Sequence, residues 1–235
     1  MILGVRVPHA GVVSRLSIVT LALLSLSSAA PAAAADSLKG QVLGAGAPIA
    51  NSTVTLWAAS AGAPKQLAQA QTGADGRFAL GAAGAADKEV ILYLVAKGGQ
   101  PAANKAGGDN SAIALLAVLG NEPPATVTIN EMTTIASVWT HAQFLDGAAI
   151  KGHPLGLRIA AGNVPNLVDL ETGGLGTVIQ DPLNSSQTAT LATFNTLANL
   201  LAGCITRVQG DACNKLFAAA TPPGGVALID GLETS

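Results

Sequence analysis

Between Leu38 and Asn130 short apolar runs alternate with Gly, Pro, Asn and Asp, the pattern of short strands joined by turns. It predicts strands at Leu38–Leu43, Thr53–Ala58, Gln66–Thr72, Arg77–Leu80, Val90–Ala96, Ile113–Val118 and Thr126–Asn130. Seven strands in about ninety residues make an all-β sandwich. Turn chemistry agrees: Ala47-Pro48 opens a loop, Asp75-Gly76 is a turn dipeptide, and Gly107-Gly108-Asp109-Asn110 punctuates a later one. From Glu131 the period becomes helical. Asn130 can cap this helix. Met132, Ile135, Trp139 and Ala142 fall on one face, which turns His141 outward or toward the following loops. A loop and short-helix stretch covers Gly152–Leu183. Asn184 to Gln187 then offers N-caps, and from Thr188 the positions Leu191, Phe194, Ala198, Leu201 and Ile205 recur at helical spacing. Gly210 stops that helix, and Asp211 caps a second one running to Ala220, before Pro222 and Pro223.

The two cysteines, Cys204 and Cys213, fall near the end of the first of these helices and in the first turn of the second. Eight intervening residues separate them, too many for a CxxC redox pair, so they read as a disulfide stapling a helical hairpin. On the loop-entropy model such a link stabilises the fold by roughly 2–3 kcal/mol.

Composition adds an address. Arg6 and Arg15 form a positive segment, Leu16–Leu26 is a short apolar run, and Ala29–Ala35 supplies small residues ending in an Ala33-x-Ala35 site before Asp36. This is the layout of a secretory signal cleaved between Ala35 and Asp36. The rival, an uncleaved anchor, is disfavoured because the second half of the uncharged stretch is Ser, Ala and Pro. No later run is long enough to span a bilayer. The chain has 235 residues, 12 Lys+Arg against 14 Asp+Glu, 11% charged and 3% aromatic residues. That is too apolar for a charge-rich disordered protein. With no Lys/Arg cluster, it is also unlike a nucleic-acid binder.

Gly40-Gln41-Val42, Gly46-Ala47-Pro48-Ile49 leading to Val54 and Leu56, and Thr72-Gly73-Ala74-Asp75-Gly76-Arg77-Phe78 resemble the carboxypeptidase regulatory-like (transthyretin-like) domain. The resemblance implies a prealbumin-type sandwich and says little about activity. Its continuation through Asn130-Glu131-Met132-Thr133-Thr134-Ile135-Ala136-Ser137-Val138-Trp139, as far as about Pro223, resembles the N-terminal half of exported bacterial proteins that lead into an NHL-type β-propeller. It implies a truncated or frame-shifted form of a longer protein, or a self-sufficient short member.

Candidate chemistry is sparse. After the signal only His141 and His153 remain, and neither H-x-x-E nor H-E-x-x-H occurs. Asp169 and Glu171, near Arg158, can be drawn as an acid/base pair, and alternating polarity in a loop explains them equally well. Asp75 lacks the further oxygen donors of a calcium loop. No G-x-S-x-G, S-x-x-K or phosphate-binding glycine loop is present. The fold family also houses hydroxyisourate hydrolases, but their Tyr-Arg-Gly-Ser ending is missing. Asn51 and Asn184 match glycosylation sequons and in a bacterial host read as polar loops. Trp57, near a strand end, is the one candidate ligand platform, against a core-packing role.

These readings converge on an α+β chain: residues 1–35 a signal peptide, 36–130 a seven-stranded antiparallel β-sandwich of prealbumin/transthyretin-like type, 131–222 a helical region with one disulfide-linked hairpin, and 223–235 an unstructured tail. The expected function is a secreted or periplasmic, non-enzymatic structural or interaction module. Its partner is a protein or glycan at the cell surface or in the periplasm, with no nucleic acid, no membrane span after signal removal, no metal and no cofactor. The alternatives are a starch-binding-like carbohydrate module using Trp57, and a metal-dependent hydrolase using His141, His153 and a carboxylate such as Asp146 or Asp169.

Overall fold

The computed structural model describes residues 37–81, 89–104, 107–207 and 211–220. The signal segment, the Ala35/Asp36 cleavage point and the tail 223–235 lie outside the described residues. Nine strands precede the helices: β1 (Leu38–Gly44), β2 (Ala47–Ala50), β3 (Thr53–Ala59), β4 (Lys65–Gln71), β5 (Arg77–Leu80), β6 (Ile91–Lys97), β7 (Gln100–Pro101), β8 (Ala114–Gly120) and β9 (Thr126–Ile129). A small hairpin, β10 (Leu145–Asp146) and β11 (Ala149–Ile150), lies among the helices α1 (Glu131–His141), α2 (Pro154–Gly162), α3 (Val164–Leu167), α4 (Thr177–Gln180), α5 (Pro182–Ser185), α6 (Thr190–Ile205) and α7 (Ala212–Ala220).

The fold is therefore mixed, β-rich and then helical. Among the described residues the strands number eleven in three sheets, rather than seven in one sandwich. One sheet runs β4-β3-β6-β8, all antiparallel. The other has β1 at its centre, antiparallel to β5 and β2 but parallel to β9, with β7 beyond β2. The parallel β1–β9 pair corrects the all-antiparallel expectation. After β8 the chain changes sheets, and β9 arrives beside β1 running the same way.

Alternation explains how the sheets meet. Leu38 and Val42 of β1, Val54 and Leu56 of β3, Phe78 and Leu80 of β5, Leu92 and Leu94 of β6, Leu115 and Ala117 of β8, and Val127 and Ile129 of β9 share one buried cluster, as period-two side chains on facing sheets must. Gly40 permits the closest approach there. A Cβ at this position would strike the Phe78 ring at 2.5 Å, so the glycine makes room for the ring beneath β1.

A second cluster covers the opposite face of the β4-β3-β6-β8 sheet. Tyr93 and Val95 of β6 and Leu116 and Val118 of β8 pack against Ala136, Ile150, Leu157, Val164, Val168, Ile179 and Phe194. Here α1 differs from expectation. Its buried residues are Glu131, Thr133, Thr134, Ala136, Ser137 and His141, while Met132 and Ile135 are half-buried and Trp139 is 43% exposed. The reason is that β8 is an edge strand with unpaired amides. Leu116 N donates to Thr134 Oγ1 at 3.0 Å and Val118 N to Ser137 Oγ at 2.9 Å. The hydroxyl face of the helix completes the sheet, so the apolar stripe is rotated aside: Met132 and Ile135 pack at the edge of the cluster and Trp139 reaches solvent. Asn130 caps α1 as expected, in a reciprocal box with Thr133.

The disulfide Cys204–Cys213 forms at the end of α6 and the start of α7. The α6 cap differs from the expected Asn184–Gln187. Asn184 and Ser185 belong to α5, and α6 begins at Thr190, whose amide is taken by Thr188 Oγ1 at 3.3 Å. At its other end Ile205 enters the core between the sheets. There the buried Asn110 donates from Nδ2 to the Cys204 and Ile205 carbonyls at 3.2 and 3.0 Å, and its Oδ1 accepts from Ala112 N and Arg207. A loop side chain from the strand region thus satisfies helix carbonyls that would otherwise be orphaned.

Candidate functional site

The outward faces of β5, β1 and β9 line an open groove of about 530 Å³. Register sets its floor as two cross-strand rows, Ala79–Lys39–Thr126 and Arg77–Gln41–Thr128. A turn closes the β9 side. Thr128 N donates to the Leu170 carbonyl at 2.8 Å and Thr128 Oγ1 to the Glu171 carbonyl at 2.7 Å. This turn is held by Asp169, whose Oδ1 accepts from the amides of Glu171 and Thr172 at 2.8 and 3.1 Å. Asp169 is thus a turn residue, and Glu171, set on that turn, lines the groove with Lys39 and Arg77. On the β5 side Gln41 Nε2 donates to the Asp75 carbonyl at 2.7 Å, and Arg77 Nε lies 3.5 Å from Asp75 Oδ2. Among the described residues Phe78 is the one aromatic residue lining the groove, and it is buried in the core between the sheets.

The other sequence candidates are dispersed. Trp57 lies on the opposite sheet, half-buried, with its ring stacked on Tyr93 at a centroid distance of 6.5 Å. Burial raises the Tyr93 phenol above its ordinary range, and its oxygen accepts from Ile150 N at 3.3 Å.

His141, expected to face solvent or loop, is fully buried. The face of α1 that meets the sheet carries it inward. Its Nδ1 lies 2.9 Å from Thr140 Oγ1 and 3.2 Å from the Ser137 carbonyl, while Nε2 has no hydrogen-bond partner among the described residues. Burial pushes this imidazole below its usual value, against the opposing pull of the Ser137 carbonyl. His153 is exposed and caps α2, accepting from Leu155 N at 3.3 Å. Asp146 is paired with Lys151 at 2.8 Å, which holds its carboxyl below the usual range. Among the described residues no group of three His, Cys, Asp or Glu is placed to hold a metal, and no helix is long and apolar enough to cross a membrane.

The groove was missed at the sequence level. Its signal was the outward half of the alternation in Leu38–Leu43 and Arg77–Leu80, where Lys39, Gln41 and Arg77 occupy every second position. The adjacency of these strands to β9 has no local mark.

No family model and no curated protein matches the sequence. Among solved structures, a 9R-lipoxygenase from Cyanothece PCC8801 is similar over 40% of this chain and 15% of its own length, at 20% identity and a TM-score of 0.27. At that level the likeness carries no argument about fold or function.

Proposed function

We propose that the chain is an exported, non-catalytic interaction module, built as a carboxypeptidase regulatory-like sandwich with a helical cover on one sheet. The observation that carries this reading is the joint at the end of α6, where the Cys204–Cys213 disulfide, Ile205 and Asn110 lock the helical hairpin to the strands. A structural disulfide persists in an oxidising compartment, in keeping with the export signal read at residues 1–35. The buried polar side chains Asn110, Thr134 and Ser137 bridge strands to helices, an organisation suited to a rigid scaffold that presents its surface.

Expression in a secreting bacterial host tests the reading. The expected product is found outside the cytoplasm, begins at Asp36 and carries no free thiol. A cytosolic product that keeps Met1 and two free thiols contradicts export. Turnover of an ester, peptide or glycoside panel that is lost in His141→Ala contradicts the non-catalytic assignment.

A further inference from the structure

Lys39 and Glu171 line the same groove, and neither takes part in an ion pair among the described residues. Both charges are carried on rigid supports. Lys39 stands on the central strand of the sheet, hydrogen-bonded on both sides. Glu171 stands on a turn tied to β9 by Thr128 and braced by Asp169. Arg77, next to Gln41 across the β1–β5 pair, lies on the side away from Glu171 and is already paired with Asp75, whose Oδ2 is 3.5 Å from its Nε.

This charge arrangement selects among ligands. A purely anionic ligand is repelled by Glu171 and a purely cationic one by Lys39 and Arg77. A neutral sugar lacks a ring to stack on, because Phe78 is turned into the core. A ligand with a carboxylate at one end and an amine at the other meets Lys39 with the first and Glu171 with the second. Spacing sets its length: adjacent strands lie about 4.8 Å apart, so β1, which carries Lys39, and the turn one spacing beyond β9 are separated by roughly 10 Å. An extended chain spans about 3.3–3.6 Å per residue, which makes two or three residues the matching length. Gln71 and the Thr126 hydroxyl, also in the lining, offer hydrogen bonds to the peptide groups between the ends.

We propose that the β5–β1–β9 groove binds a short zwitterionic peptide, its carboxylate at Lys39 and its amine at Glu171. This inference rests on the reading of the chain as an interaction module and gives that module a ligand class. Calorimetric titration of the full exported chain with tri-alanine, N-acetyl-tri-alanine and tri-alanine amide tests it. Tri-alanine is expected to bind, and blocking either end to weaken binding about five- to tenfold, as loss of a charge-assisted contact does. Lys39→Gln is expected to weaken tri-alanine by a similar factor while leaving tri-alanine amide unaffected. Glu171→Gln should do the same for tri-alanine while sparing the acetylated peptide. Both side chains are exposed, so both variants should keep the wild-type melting temperature. The proposal is overturned if tri-alanine fails to bind at millimolar concentration, if the blocked peptides bind as well as the free one, or if neither substitution changes affinity. Any of these results, obtained with an exported and disulfide-bonded chain, removes the ligand class and leaves the module reading standing.

Discussion

The two sheets share one core and differ on their outer faces. In β6 the run Ile91–Ala96 is buried at every position, and in β8 Leu115–Leu119 is as well. In β1 and β5, Lys39, Gln41, Arg77 and Ala79 alternate with buried partners. A strand that is apolar on both faces demands cover on both, so the helices follow from β6 and β8. A strand that alternates can leave one face to water, and that is where the polar groove lies. The helical region is therefore half of the burial that the first sheet requires, and the second sheet keeps an open polar face among the described residues.

Substitutions on the two faces sharpen this contrast. Phe194 is fully buried in the cluster under the helices, and Phe194→Ala is expected to cost about 3–5 kcal/mol in chemical denaturation. Lys39→Gln on the open face should stay within about 0.5 kcal/mol. Replacing both Cys204 and Cys213 by Ser is expected to lower stability by about 2–3 kcal/mol, with unfolding still a single transition. A separate early transition for the hairpin would break the view that it is part of one body. Ser137→Ala leaves Val118 N without its acceptor, a loss of about 1–3 kcal/mol. A change below about 0.3 kcal/mol would show that the hydroxyl face of α1 does not complete the edge of β8.

The smallest effect concerns pH. Burial keeps the folded His141 below its ordinary value of 6.5, so the unfolded chain takes up this proton first on acidification. The contribution of His141 to stability is expected to be flat above that range and to fall as pH drops from 6.5 toward the lower folded value. Melting curves should lose this slope in His141→Gln. Glu131 works in the opposite sense. Burial raises its carboxyl above the ordinary 4.5, against the pull of the Ala45 amide, so its contribution to stability falls as pH rises from there. Glu131→Gln separates the two.

The positions of all seven expected strands were legible because each alternates or is bounded by turn residues. The short β2 and β7 were not. Ala47-Pro48 carries a turn signal and still pairs with β1, and β7 is two residues long. The disulfide hairpin was legible from cysteine spacing and helical period. The orientation of α1 was not, since a helix is read by assuming that its apolar stripe faces inward, whereas edge-strand amides here select the stripe of hydroxyls. His141 followed the same error. At the candidate site Asp169 and Glu171 stood out as a pair, yet one staples a turn and the other lines the groove. That separation depends on Thr128, distant in sequence, to which the turn is tied.

Native-state hydrogen exchange, read amide by amide, tests the central claim that the helices and the doubly apolar sheet form one cooperative unit. The interior amides of β6, α1 and α6, with Leu116 and Val118 of β8, are expected to share one opening free energy equal to that of global unfolding. If the α1 and α6 amides exchange through a separate opening several kcal/mol lower while β6 and β8 stay protected, the sheet does not need its helical cover and the account is contradicted.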